Sequence, residues 1–244
     1  MPTVKVNGIV LRRADYGEGN RMVTLLTPDG PLSFAAPGCK KAASRRLIAT
    51  ELFSAGEFIL DQKGERVSLQ SFEPTERFYP LREEYQKLTH GVYWLNLCEA
   101  AAQPGDNCER LYKMLLLSLA VLTYQNLPLL PLTSVFLIQF SILQGYAPEL
   151  DTCPVCGKAV AAPMRFETEA GGVCCTSCVT RGQWLTMDDL LWLREAKAKG
   201  AFVLAGRRGL PAESDGTSLP SIFQILRKHV ECRLEKEIRS GRLL

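Results

Sequence analysis

The hydrophobic pattern changes period at Pro74, and that change divides what the chain can build. Before it, short apolar runs lie at Val4 to Arg12, Arg21 to Thr27, Leu32 to Ala36, Leu52 to Leu60 and Val67 to Phe72. Glycine-rich and Pro28-Asp29-Gly30 turns punctuate the first three, and a turn around Lys63 and Gly64 separates the last two. Runs of this length bounded by Gly, Pro and Asp read as β-strands. Five strands within about 75 residues must close or cover their edges, and a small barrel does so most simply. A five-stranded oligonucleotide-binding (OB-fold) barrel is favoured; an SH3-like barrel, or a flat sheet packed on the helical part, fits the same pattern.

Beyond Pro74 the apolar residues fall at helical spacing. Tyr85, Leu88, Val92 and Leu95 mark one helix, and Cys108 to Tyr124 a second that is apolar on most sides. Pro128 and Pro131 are expected to end that segment, with Thr133 capping a third helix over Val135 to Gln144 that Gly145 stops. Met187 to Lys199 reads as a helix opened by Asp188 and Asp189, whose charges favour a helix N-terminus. Gly206 to Pro220 is an expected loop, and Ile222, Ile225, Leu226, Val230, Leu234 and Ile238 mark a last amphipathic helix with a basic outer face. The expected class is α+β. A barrel domain over 1–79 precedes a mostly helical domain in two parts, 80–150 and 182–244, with a cysteine-rich module inserted at 151–181.

That module holds five of the nine cysteines. Cys153-Pro-Val-Cys156 and Cys175-Thr-Ser-Cys178 are two C-x2-C knuckles separated by 18 residues, the spacing of a four-cysteine zinc site. Each knuckle brings two thiolates to one side of an ion, two knuckles complete a tetrahedron, and Gly157 relieves the backbone over the metal. Four thiolates leave no open position, so one structural Zn2+ is expected, its binding energy folding an insertion with little core of its own. Cys174-x3-Cys178 is an alternative pairing; the tight knuckle at Cys175 matches the first one better. An odd cysteine count and no visible secretory signal argue against a disulfide scaffold and make a cytoplasmic location the default. The apolar stretch Met114 to Leu122 is too short to span a bilayer, so no membrane partner is expected.

A formal charge of +3 decides little, but its distribution is uneven. Up to Leu47, Lys5, Arg12, Arg13, Arg21, Lys40, Lys41, Arg45 and Arg46 face only Asp15, Glu18 and Asp29. On a small barrel these cations would make a phosphate-binding stripe, against the plain alternative of a solvated surface. Tyr16, Phe34, Phe53 and Phe58 are candidate base-stacking residues, although aromatics in strands are more often core. Arg207 and Arg208, then Arg227, Lys228, Arg233, Lys236, Arg239 and Arg242, extend the basic track. No phosphate loop, dinucleotide fingerprint or metalloprotease motif is present, and neither His90 nor His229 accompanies a nucleophile. No enzyme is expected.

The opening GIVLRRADYGEGNRMVTLLTPDG, the basic GCKKAASRR, the helical remainder and the inserted CPVCG and GGVCCTSC together resemble, over essentially the whole chain, the RecO family of bacterial recombination mediators. The resemblance implies a non-enzymatic protein of DNA repair, in the cytoplasm at the nucleoid. Such a protein binds single- and double-stranded DNA and anneals complementary strands. With RecR it helps RecA replace single-stranded DNA-binding protein (SSB), whose acidic, apolar C-terminal tail the helical domain receives. Carried onto this chain, it makes Arg12, Arg13, Arg21, Lys40, Lys41, Arg45 and Arg46 the strongest DNA-contact candidates. The alternative is a zinc-stabilised protein-interaction adaptor without strand-annealing activity.

Overall fold

A computed structural model of the protein describes residues 3–40 and 46–244; Lys41 and Arg45 of the expected phosphate-binding stretch lie outside the described residues. The chain forms two compact units, Met1–Thr123 and Tyr124–Leu244. The division falls within the helical region that the sequence expectation begins at residue 80.

In the first unit, β1 (Thr3–Tyr16), β2 (Asn20–Thr27), β3 (Gly30–Ala36), β4 (Ala55–Lys63) and β5 (Arg66–Glu76) close into a barrel of order β1-β2-β3-β5-β4. Neither a flat sheet nor an open one describes it: β1 pairs antiparallel with both β2 and β4, and β3 meets β5 in parallel at Ala35 and Ser68. Alternation explains the core, because Val23, Leu25, Phe34, Ala36, Phe58, Leu60 and Leu69 all point inward from their strands. A register shift between Val10 and Arg12 inserts Leu11 as an extra residue in β1. Ile9, Val10 and Leu11 are therefore all buried in succession, Val10 in the barrel core.

The fourth strand begins at Ala55 rather than Leu52, because Phe53 takes a left-handed conformation (φ 68°). That turn buries the Phe53 ring, and Gly91 of helix α1 (Tyr85–Ala101) lies against it; a Cβ there would stand 3.0 Å from the ring. Helix α1 packs on β1, and α2 (Glu109–Tyr124) completes the helical part of the element order in this unit.

In the second unit, α3 spans Leu129–Leu143. The expected start near Val135 is too late. Pro131 sits in the first turn, where a missing N–H costs nothing, and Thr133 is buried inside the helix instead of capping it. Helix α4 (Met187–Leu204) opens with a capping box: the Thr186 hydroxyl accepts from the Asp189 N–H, and the Asp189 carboxylate accepts from the Thr186 N–H. Helix α5 (Leu219–Arg233) starts with Pro220 in its first turn and stops before Leu234 and Ile238, with Glu235 left-handed just beyond (φ 50°). Helix α3 packs on α4 and α5. Between α3 and α4 a small sheet of order β7-β6-β8 is built from β6 (Met164–Glu167), β7 (Gly172–Cys175) and β8 (Gln183–Leu185). Among the described residues, no helix is long and apolar enough to cross a membrane.

Candidate nucleic-acid interface and metal centre

The long β1–β2 hairpin determines where the basic residues of the barrel go. Its register sets Asp15 opposite Arg21 and Arg13 opposite Val23, so these side chains share the inward face at one end of the barrel. Just after β3, Gly38 donates to the Asn20 side chain (2.8 Å) and Lys40 to the Gly19 carbonyl (3.2 Å), which carries Lys40 to the same end. The 3₁₀ turn at Ile48–Thr50 then delivers Glu51.

The result is one chain of ion pairs. Lys40 binds Asp15; Arg21 binds Asp15 (3.0 Å) and Glu51 (2.7 Å); Arg13 binds Glu51. Arg21 also donates to the Thr50 hydroxyl (2.9 Å), and its side chain is only 11% exposed. Burial works against the Glu51 carboxylate, yet the Arg21 hydrogen bond and the charges of Arg13 and Arg21 hold it below the ordinary carboxylate range. The Lys40 hydrogen bond does the same for Asp15, with Arg21 assisting. On the outer face, Arg12 pairs with Glu99 of α1 and donates weakly to the Thr24 hydroxyl (3.4 Å). Arg46 donates to the Pro37 carbonyl at 3.5 Å, and Lys5 pairs with Glu57 at 3.2 Å. Glu51, Glu57 and Glu99, which neutralise much of the stripe, all lie beyond Leu47 in the chain and outside the local charge pattern.

The aromatic candidates divide sharply. Phe34, Phe53 and Phe58 are buried core residues and offer no platform to a base, which corrects that expectation; Tyr16, at 42% exposure, is the one that faces solvent.

In the cysteine module, the sulfurs of Cys153, Cys156, Cys175 and Cys178 all lie within 4.8 Å of one another. The Cys156 and Cys175 sulfurs are 3.9 Å apart, close to the edge of roughly 3.8 Å of a tetrahedron with metal–sulfur bonds of about 2.3 Å. Each knuckle is shaped by backbone bonds: Gly157 donates to the Cys153 carbonyl (2.8 Å), and Cys178 to that of Cys175 (3.0 Å). Burial opposes the Cys153 thiolate, but backbone N–H groups of Cys175, Cys156 and Val155 bring its pKa down to about 6. Cys174 stays out of the cluster. It is fully buried and points to the Gly172 carbonyl (3.8 Å), and burial, with the Cys153 charge assisting, pushes its thiol up to about 12. The four-cysteine cluster is chemically fit to hold a metal ion.

A family model for the recombination protein O N terminal matches residues 1–78, and one for the recombination protein O C terminal matches residues 82–242. The chain belongs to the RecO family. Among relatives, it is 32% identical to the DNA repair protein RecO of Pelotomaculum thermopropionicum over 73% of this chain and 70% of that one. It is 30% identical to the DNA repair protein RecO of Myxococcus xanthus over 88% and 83%, respectively. With that of Alkaliphilus metalliredigens the identity is 29% over 72% of each chain. RecO proteins are non-catalytic mediators of DNA repair and recombination, and this chain shares that general role.

Both histidines of this RecO protein are buried. His90 is buried in α1, and burial pulls its pKa down to about 4. Nε2 of His229 donates to the Tyr146 carbonyl (2.8 Å), and the ring packs edge-on against Phe166. The basic residues after α4 are partly engaged as well: Arg227 binds Glu231 (3.1 Å) and the Gly241 carbonyl (2.8 Å), and Arg242 binds Glu237 (2.7 Å).

Proposed function

We propose that this RecO protein binds single- and double-stranded DNA through the basic end of its barrel, anneals complementary strands, and with RecR promotes RecA loading on DNA coated by SSB. The observation that carries the reading is the closed five-stranded barrel whose β1–β2 hairpin and post-β3 segment gather Arg13, Arg21 and Lys40 at one end, in a chain of this family. Arg12, Arg13, Lys40, Lys41, Arg45 and Arg46 are the phosphate contacts. Arg21 acts from behind Arg13 and Lys40, since its low exposure and double pairing suit it to holding Asp15 and Glu51 in place. Contacts to phosphate alone accept any sequence, and neutralising two backbones at once lets complementary strands approach and pair without a chemical fuel. The SSB tail is received by the helical part.

We further propose that the four-cysteine cluster holds one zinc ion. Zinc there supplies a cross-link and no chemistry, because four thiolates complete its coordination. Cys153, Cys156, Cys175 and Cys178 would hold it, with the backbone donors at Cys153 already favouring a thiolate.

The test is a DNA-binding titration across salt with wild type and an Arg12→Glu/Arg46→Glu variant, alongside strand annealing without ATP. The expected result is weaker binding to unrelated sequences and a salt slope flattened by about 1 per lost phosphate contact. Unchanged affinity and slope would reject the interface. Absence of annealing at low salt, with binding of a protein partner intact, would favour the adaptor reading.

A further inference from the structure

The three-stranded sheet of the cysteine module has one face turned to the interior and one to solvent. Met164, Phe166 and Leu185 are buried. Arg165 and Trp184, paired across β6 and β8, share the other face. The Arg165 guanidinium lies 3.7 Å from the centre of the Trp184 ring and donates to the Gly182 carbonyl (3.0 Å), so the ring is held on one side by a cation that is itself held. Trp184 nonetheless remains 55% exposed, an unusual position for the largest apolar side chain.

The charges around it differ from those of the barrel. Among the described residues, Arg165 and Arg181 form no ion pair with a carboxylate, although Glu167 shares the strand face of Arg165 and its carboxylate lies beside Gly182; Arg12, Arg13, Arg21 and Lys40 each have at least one such partner. Arg181 is exposed and directly precedes Gly182, whose carbonyl anchors Arg165. An open aromatic ring beside cations that no carboxylate holds in an ion pair matches a ligand with flat apolar rings on an anionic backbone. That is a single-stranded nucleic acid, whose bases are free to stack.

We propose that this face of the module is a second nucleic-acid contact, in which Trp184, braced by Arg165, stacks on one unpaired base while Arg165 and Arg181 meet the neighbouring phosphates. It rests on the DNA-binding reading above and adds a site in the other compact unit, one that recognises single strands by stacking.

The fluorescence of the intact protein tests it, because the other two tryptophans, Trp94 and Trp192, are 0% and 2% exposed and Trp184 alone is open to solvent. The probe is an oligothymidylate, with its affinity measured separately through an end label. Binding is expected to quench the exposed tryptophan emission and shield it from acrylamide, and Trp184→Phe to abolish that signal. Trp184→Ala should weaken affinity about tenfold, as for loss of one stacked base, and Arg181→Gln should lower the salt slope by roughly 0.7. Should Trp184→Ala misfold, judged by metal content and circular dichroism, the Trp184→Phe signal and the Arg181→Gln slope carry the decision. Binding of the oligonucleotide with the emission unmoved overturns this site and leaves the barrel interface standing. No binding by wild type overturns both, and emission that responds to a protein partner but not to DNA assigns the face to protein contact and overturns the site.

Discussion

At the barrel end, Lys40, Arg21 and Arg13 are strung together by Asp15 and Glu51; in the cysteine module, Lys158, Arg165 and Arg181 have no carboxylate ion-pair partner among the described residues, while four sulfurs crowd within 4.8 Å. Both regions concentrate like charges, and folding answers the repulsion differently in each. The barrel interleaves acids brought from distant parts of the chain. The module is suited to a cation, which four thiolates need far more than a side chain can provide. A basic count in sequence thus overstates the free charge of the barrel and understates that of the module.

The largest expected effect breaks the module alone. Cys175→Ser should release the metal and loosen residues 151–181, a loss of several kcal/mol in that segment, while Cys174→Ser should keep one metal per chain. Metal analysis and limited proteolysis distinguish them. Equal metal content in the two variants would overturn the ligand assignment.

The next effect lies in the first unit and is a matter of pH. Burial lowers the His90 pKa from 6.5 to about 4, so between those values the unfolded chain binds the proton and the folded one does not. The stabilisation is complete above pH 6.5 and is lost as pH falls toward 4, on the order of 3 kcal/mol. Denaturant midpoints followed across that range should drop, and His90→Gln should flatten the curve. A pH profile identical in the variant would reject it.

Glu51→Gln comes third. It leaves Arg13 and the little-exposed Arg21 without their shared carboxylate, and a loss of about 2 kcal/mol is expected for a partly buried network. Because Glu51 is held below its ordinary value of 4.5, its contribution is present above that pH and lost below it. The same melts read both. Stability unchanged by the substitution would mean that the network is ornamental.

The smallest effect is at Arg12, whose side chain is 56% exposed. Arg12→Ala should cost no more than about 1 kcal/mol of stability while weakening DNA binding measurably, the inverse of what Arg21→Ala should do. Thermal melts beside a salt titration expose the contrast; a large stability loss at Arg12 would move it into the structural class with Arg21.

Strand periodicity before Pro74 and the two C-x2-C knuckles made the barrel and the metal cluster legible, because both are local patterns. The start of α3 was not legible. Pro131 reads as a helix end, yet a proline in the first turn breaks no hydrogen bond. Phe34 and Phe58 carry the same strand pattern as a stacking residue would, and only closure of the barrel places them inside.

By itself, then, the sequence determined the element types, the barrel's five strands, the ligand-rich spacing and the family. The tertiary structure decided which neighbouring cysteine turns into the cluster, which aromatics are spent on the core, and which cations remain free. The reason is distance along the chain. Arg13 meets Glu51 across 38 positions and Arg12 meets Glu99 across 87, and no window of local sequence contains pairings that only the folded backbone brings within reach.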